Sequence, residues 1–170
     1  MTAQPEAWLR GPVPGVDPLL QPAAHALVDA REDLERLLPD LDRVDLWQRP
    51  GSAASIGFHL RHAAGALDRL FTYARGESLS AEQKGALDVE RMERDDSVDA
   101  RWLVALVHAA IDRALDQLRA TAPAAVFEPR AVGRAALPAT VLGLLFHAAE
   151  HTARHVGQII TTSKALKRRV

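Results

Sequence analysis

The sequence predicts an all-helical protein, a four-helix bundle with one short extra helix. Three observations lead there. Four long segments carry apolar residues at helical spacing, proline, glycine and capping residues punctuate the chain between them, and no segment sustains an alternation of apolar and polar residues. In the first 18 residues Pro5, Pro12, Pro14 and Pro18, with Gly11 and Gly15, keep a regular element from settling. Residues 1–18 therefore read as an entry arm and residues 19–170 as the bundle domain. From Leu19 to Leu38 the positions Leu19, Leu20, Ala23, Ala26, Leu27, Leu34, Leu37 and Leu38 form the apolar face of the first helix, with Pro22 tolerated in its first turn and Pro39 marking its exit.

Pro50-Gly51 breaks the chain, and Ser52 or Ser55 can cap a second helix that runs to about Arg75, where Gly76 stops it. A shorter helix follows from the capping box Ser80-Ala81-Glu82-Gln83, before the acidic turn Asp95-Asp96. Ser97 is the expected cap of the third long helix, which carries Trp102, Leu103, Leu106, Val107, Ile111, Leu115 and Leu118 as far as Pro123. Residues 122–137 read as an irregular connection in which Val126-Phe127 and Ala131-Val132 can form a small hairpin. Pro138 and Thr140 open the last helix, which meets no breaker before about Lys167.

A chain of 170 residues with 48% apolar and 25% charged side chains suffices for one globular core. No stretch approaches the roughly 18–20 apolar residues of a bilayer span, and Met1-Thr2-Ala3-Gln4-Pro5-Glu6 lacks the basic and apolar regions of a secretory signal, so the expected location is cytoplasmic, away from any membrane. There is no cysteine, hence no disulfide, thiolate ligand or thiol nucleophile from the protein itself. Any thiol chemistry needs a thiol from outside. With 21 basic and 22 acidic residues the net charge of −1 offers nucleic acid no general attraction. The basic run Lys164, Lys167, Arg168 and Arg169 falls at a helix end, where cations suit the dipole.

Five of the seven histidines lie on two helices: His59 and His62 on the second, His147, His151 and His155 on the last. Each step of four residues rotates a helix by only about 40°, so the last three share a stripe. His147 and His155 are roughly 12 Å apart along the axis, too far to share an ion at metal–nitrogen distances of about 2.1 Å. In projection, Val141, Leu144, Leu145, Ala148, Thr152 and Ile159 mark a buried sector that continues through Leu142, Phe146, Ala149, Val156 and Ile160. His155 sits inside its edge, His151 at the boundary and His147 further toward Glu150 and Arg154, which favours His151 with His155. On the second helix Ile56, Leu60, Ala63, Leu67, Leu70 and Ala74 define the core face, and His59 lies closer to it than His62. Periodicity leaves these two open. His25 and His108 read as surface or satisfied residues. Tyr73 and Glu150 read as packing or solvent residues, with Glu150 pointing away from the stripe. Gly157 in mid-helix suggests close approach of another element, and Gln158 lies near enough to the stripe to hydrogen-bond a ligand.

At these residues the chain resembles the DinB-like superfamily of damage-inducible proteins, which includes bacterial-thiol S-transferases. The matching segments are Ser55-Ile56-Gly57-Phe58-His59-Leu60-Arg61-His62 and His151-Thr152-Ala153-Arg154-His155-Val156-Gly157-Gln158, in the same order and spacing, and the resemblance covers about residues 19–165. It implies a four-helix bundle, often dimeric, holding one divalent ion such as Zn²⁺ or Ni²⁺ on three histidines. Carried over by position, those ligands are His62, His151 and His155, with His59, His147 and Gln158 left as alternative ligands or supporting partners. Val156 stands where members often have arginine.

Three imidazoles leave coordination positions open, as catalytic sites do. The resemblance implies a metal-dependent transferase that activates an external low-molecular-weight thiol, such as glutathione, bacillithiol or mycothiol, toward a small-molecule substrate. A metal-dependent hydrolase using bound hydroxide, with His59 or His147 as proton acceptor, and a metal-binding stress protein without turnover fit the same residues. No catalytic residue is assigned by the sequence. The apolar sector of the last helix is wider than one buried face needs, which predicts a second packed surface, against another element of the same chain or against a second subunit, and a homodimer is the expectation.

Overall fold

The structure, a computed structural model, describes residues 4–167. Its elements are α1 (Gln21–Leu41), α2 (Ile56–Ala74), the short α3 (Ala81–Glu90), α4 (Ala100–Ala120), an antiparallel hairpin of β1 (Pro129–Val132) and β2 (Leu137–Thr140), and α5 (Val141–Lys167). Both α1 and α2 pack against both α4 and α5, which closes a four-helix bundle, and α3 lies against α2. Leu20 and, within α1, Leu27, Leu34 and Leu41 recur every seven residues and are fully buried, as are Leu60, Leu67, Leu103, Ile111, Leu118, Leu145 and Ile159. Each such side chain contributes about 1.5–3 kcal/mol through burial, which makes this seam the main support of the bundle. Among the described residues no helix is long and apolar enough to cross a membrane.

Several local expectations are corrected. Pro39 does not end α1, which continues to Leu41. Burial of Leu37 and Leu41 offsets the lost backbone donor, and Asp42 N–H closes the last turn on the Leu38 carbonyl at 3.3 Å. Of the two expected caps of α2, Ser55 serves, accepting from Phe58 N–H at 3.2 Å. Asp99, not Ser97, caps α4, accepting from Trp102 N–H at 2.7 Å. Ser97 is drawn away because its own N–H donates to the Asp95 carboxylate at 3.0 Å. Ser80 and Gln83 form the expected capping box of α3.

The hairpin pairs Ala131-Val132 with Pro138 and Leu137, not with Val126-Phe127. Val126 is instead buried, its carbonyl accepting from Leu142 N–H at 2.8 Å, while Phe127 is exposed. Pro138 thus belongs to β2, and Thr140 alone opens α5, its hydroxyl accepting from Gly143 N–H at 3.0 Å. Phe146, expected in the buried sector, is 55% exposed, because the bundle covers a narrower part of α5 than its apolar sector spans. Trp102 is exposed too.

The entry arm forms short 3-10 turns at Ala7–Arg10 and Pro18–Leu20 and docks on α1. Ala7 N–H donates to Asp29 at 2.8 Å and Arg10 to Glu32 at 2.8 Å. In the basic run, Lys167 pairs with Asp40 at the end of α5, and Arg168 and Arg169 lie outside the described residues.

Candidate metal centre

The most extensive helix contact in the bundle is between α2 and α5. Its register sets His59 opposite His155 and His62 opposite His151. Close packing fixes where this end of α2 sits. A Cβ at Gly57 would lie 2.5 Å from Trp47 Cζ3, so only glycine lets the buried Trp47 ring rest on the first turn of the helix. Arg61, itself buried, stacks over the same ring at 4.7 Å and pairs with Asp95, tying α2 to the loop before α4.

Three ring nitrogens converge between the helices. His62 Nε2 lies 3.0 Å from His151 Nε2, and His155 Nε2 lies 3.1 Å from the same atom. One ligand atom from each of the three residues falls within 4.8 Å of the others, and the two contacts to His151 lie well inside the separation of about 4.2 Å that two nitrogens sharing an ion at about 2.1 Å can reach. The tautomers suit this. Glu90 Oε2, a carboxylate oxygen that can only accept, lies 2.9 Å from His62 Nδ1, so the hydrogen sits on Nδ1 and the Nε2 lone pair faces the cluster. His155 Nδ1 lies 2.9 Å from His59 Nδ1, and donation from His155 there leaves its Nε2 lone pair facing inward as well. Three facing nitrogens cannot satisfy one another with the single hydrogen that His151 could offer. A cation accepting three lone pairs satisfies all of them.

Electrostatics favour the same state. Burial, and then the neighbouring His151, His62 and His59, push the His155 imidazole down to about 3. Burial and then His62 lower His151 and His59 from the usual 6.5. Histidines that resist protonation keep the lone pairs a metal requires. Burial alone would raise Glu90, but hydrogen bonds from His62 and Arg69 outweigh it and hold the carboxyl below its ordinary range.

The structure thus brings together His62, His151 and His155, and places the remaining candidates around them. His59 is the more buried of the α2 pair, as projection suggested, yet it meets His155 through Nδ1 and not the convergent nitrogens. His147 is exposed, its ring centroid 5.5 Å from that of His151, with Nδ1 3.6 Å from Glu150. Glu150 therefore does reach the outer end of the stripe, where it also binds Arg154. Gln158 is exposed and makes no hydrogen bond to the histidines among the described residues. Gly157 has nothing within 4 Å of where a Cβ would sit, so the predicted close approach is absent, because the residue lies on the exposed side of α5. His25 bonds the Gly11 carbonyl at 3.0 Å, whereas His108 Nε2 is buried without a partner among the described residues.

Sequence reasoning missed Glu90 and Arg69. Nothing in α3 marks its final acid, but Gly65, one turn after His62 in the middle of a helix, is the residue type that signals close approach. A Cβ there would overlap Glu90 Oε1.

The comparison with protein families agrees with the resemblance carried by these motifs. The family model of the DinB superfamily matches residues 26–159, a span that includes all three convergent histidines. No curated protein matches the chain.

Proposed function

The chain belongs to the DinB superfamily, and from the centre it carries we propose that it binds one divalent ion on His62, His151 and His155 and transfers an external low-molecular-weight thiol to a small electrophile. The gathering of His62, His151 and His155, with the Nε2 atoms of His62 and His155 at 3.0 and 3.1 Å from His151 Nε2, carries this reading. When bound, such an ion lowers the pKa of a coordinated thiol and so supplies a thiolate near neutral pH. Because the chain has no cysteine, the thiol is a co-substrate.

The protein's own residues supply position and polarity. Phe58 lies parallel to His62 and offset from it, ring centroids 5.4 Å apart at 7°, and flanks that imidazole. Beside His59 a groove of about 510 Å³ is lined by Arg154, Gln158, Thr161 and Thr162 with Ala53 and Ala54. A guanidinium, an amide and two hydroxyls one imidazole away from His155 suit a thiol with peptide- or sugar-like polar groups, as glutathione, bacillithiol and mycothiol have. Zn²⁺ and Ni²⁺ are the ions proposed, since both accept imidazole readily.

The test is conjugation of a chromogenic electrophile by metal-stripped and metal-reloaded protein, with each of the three thiols in turn. Metal-dependent conjugation with at least one thiol is the expected result. Conjugation indifferent to metal, or metal-dependent ester hydrolysis that needs no thiol, would overturn the transferase reading.

A further inference from the structure

We propose that Glu90 is the positioning residue of this centre, holding His62 in the one tautomer and ring orientation that turn Nε2 toward His151 and His155. The inference rests on the proposed metal binding for its affinity readout, but its structural content is independent of any ion. Glu90 is the one buried residue of α3, whose other side chains are exposed or half-buried. A buried carboxylate at the end of an otherwise exposed helix requires partners, and both of them come from α2. Oε2 accepts from His62 Nδ1 at 2.9 Å, while Arg69, seven residues and two turns after His62, grips both oxygens, with Nη2 to Oε2 at 3.2 Å and Nη1 on Oε1. The guanidinium keeps the carboxylate from swinging away, and the carboxylate keeps the imidazole from rotating or changing tautomer. Such outer partners fix the orientation of metal-binding histidines in general.

Gly65 completes the arrangement. It lies between His62 and Arg69 on the same helix, and a Cβ there would overlap Glu90 Oε1 and come within 2.7 Å of Arg69 Nη1. Those atoms are the ends of flexible side chains, so alanine at 65 pushes the carboxylate aside without removing a charge or touching His62. An ion pair that merely pins α3 to α2 would leave the His62 ring indifferent to these changes.

The experiment uses the full chain with Glu90→Gln, Glu90→Ala and Gly65→Ala, each confirmed as folded by circular dichroism. In metal-stripped, 15N-labelled protein, the His62 ring is expected to be in the Nδ1–H form in the wild type and to lose that preference in Glu90→Ala and Gly65→Ala. Zn²⁺ affinity, read by competition with a chromophoric chelator, is expected to fall about 10–100-fold in those two variants, and less in Glu90→Gln, whose amide oxygen still accepts. If His62 keeps the Nδ1–H form in folded Glu90→Ala, Glu90 does not position it and the proposal is overturned. It is equally overturned if affinity stays within about twofold of wild type, well short of the usual effect of such partners. A wild type that binds no Zn²⁺ would defeat the proposed function, while the tautomer measurement would still decide the role of Glu90.

Discussion

Replacing His155 with glutamine in metal-stripped protein is expected to reduce the acid sensitivity of the fold. His155 is only 8% exposed, and its imidazole is pushed from 6.5 to about 3 by burial and then by His151, His62 and His59. Between those two values the unfolded chain binds a proton at this residue that the folded chain refuses. Stability is therefore fully present above pH 6.5 and falls as the pH falls, by about 1.4 kcal/mol per unit, until the folded value is reached. Moving from pH 7.5 to 4.5 crosses about two units of that window, a loss of about 2–3 kcal/mol through His155 alone. Glutamine cannot titrate, so the variant escapes this part of the loss while sharing whatever the other groups contribute. Urea unfolding of both proteins with a chelator present, at the two pH values, measures the difference. The wild type should lose about 2–3 kcal/mol more than the variant on acidification. Equal losses would show that His155 is protonated in the folded protein as readily as in the unfolded one, and the picture of a buried, neutral lone pair would fail.

Two further outcomes test how α2 and α4 begin. Gly57→Ala should destabilise by about 1–3 kcal/mol in thermal or urea unfolding despite alanine's better helix propensity, because the added Cβ meets the rigid Trp47 ring at 2.5 Å. Asp99→Ala should cost about 1 kcal/mol while Ser97→Ala stays within about 0.5, since Asp99 alone caps α4.

The bundle was legible because each long helix announces its own face and its own ends. Leu20, Leu27 and Leu34 repeat at a helical interval, and Ser80 with Gln83 spells a capping box whatever the rest of the chain does. Misread boundaries came where two local signals compete. Ser97 and Asp99 are both good caps, and the choice fell to Asp99 once Asp95 engaged Ser97. Pro39 is a sound stop signal, overridden by burial of Leu41 in the next turn.

The histidines divide the same way. His151 and His155 stand out within one helix, because spacing of four places them on a stripe that the apolar pattern orients. His59 and His62 could not be separated by projection, since it measures burial while coordination depends on which nitrogen points where. His59 is the deeper residue, yet His62 joins the convergent nitrogens, and the family motif, not periodicity, indicated this. Glu90 was invisible because its role comes from the docking of α3 on α2, a tertiary contact with no period of its own.

The most direct test of the metal centre is elemental analysis of the purified wild type beside His62→Ala, His151→Ala and His155→Ala, each checked for helical content, with the exposed His147→Ala as a control. We expect one divalent ion per chain in the wild type and in His147→Ala, and loss of the ion in each of the other three. If the three variants stay folded and retain wild-type metal content, the convergent histidines are not the ligands.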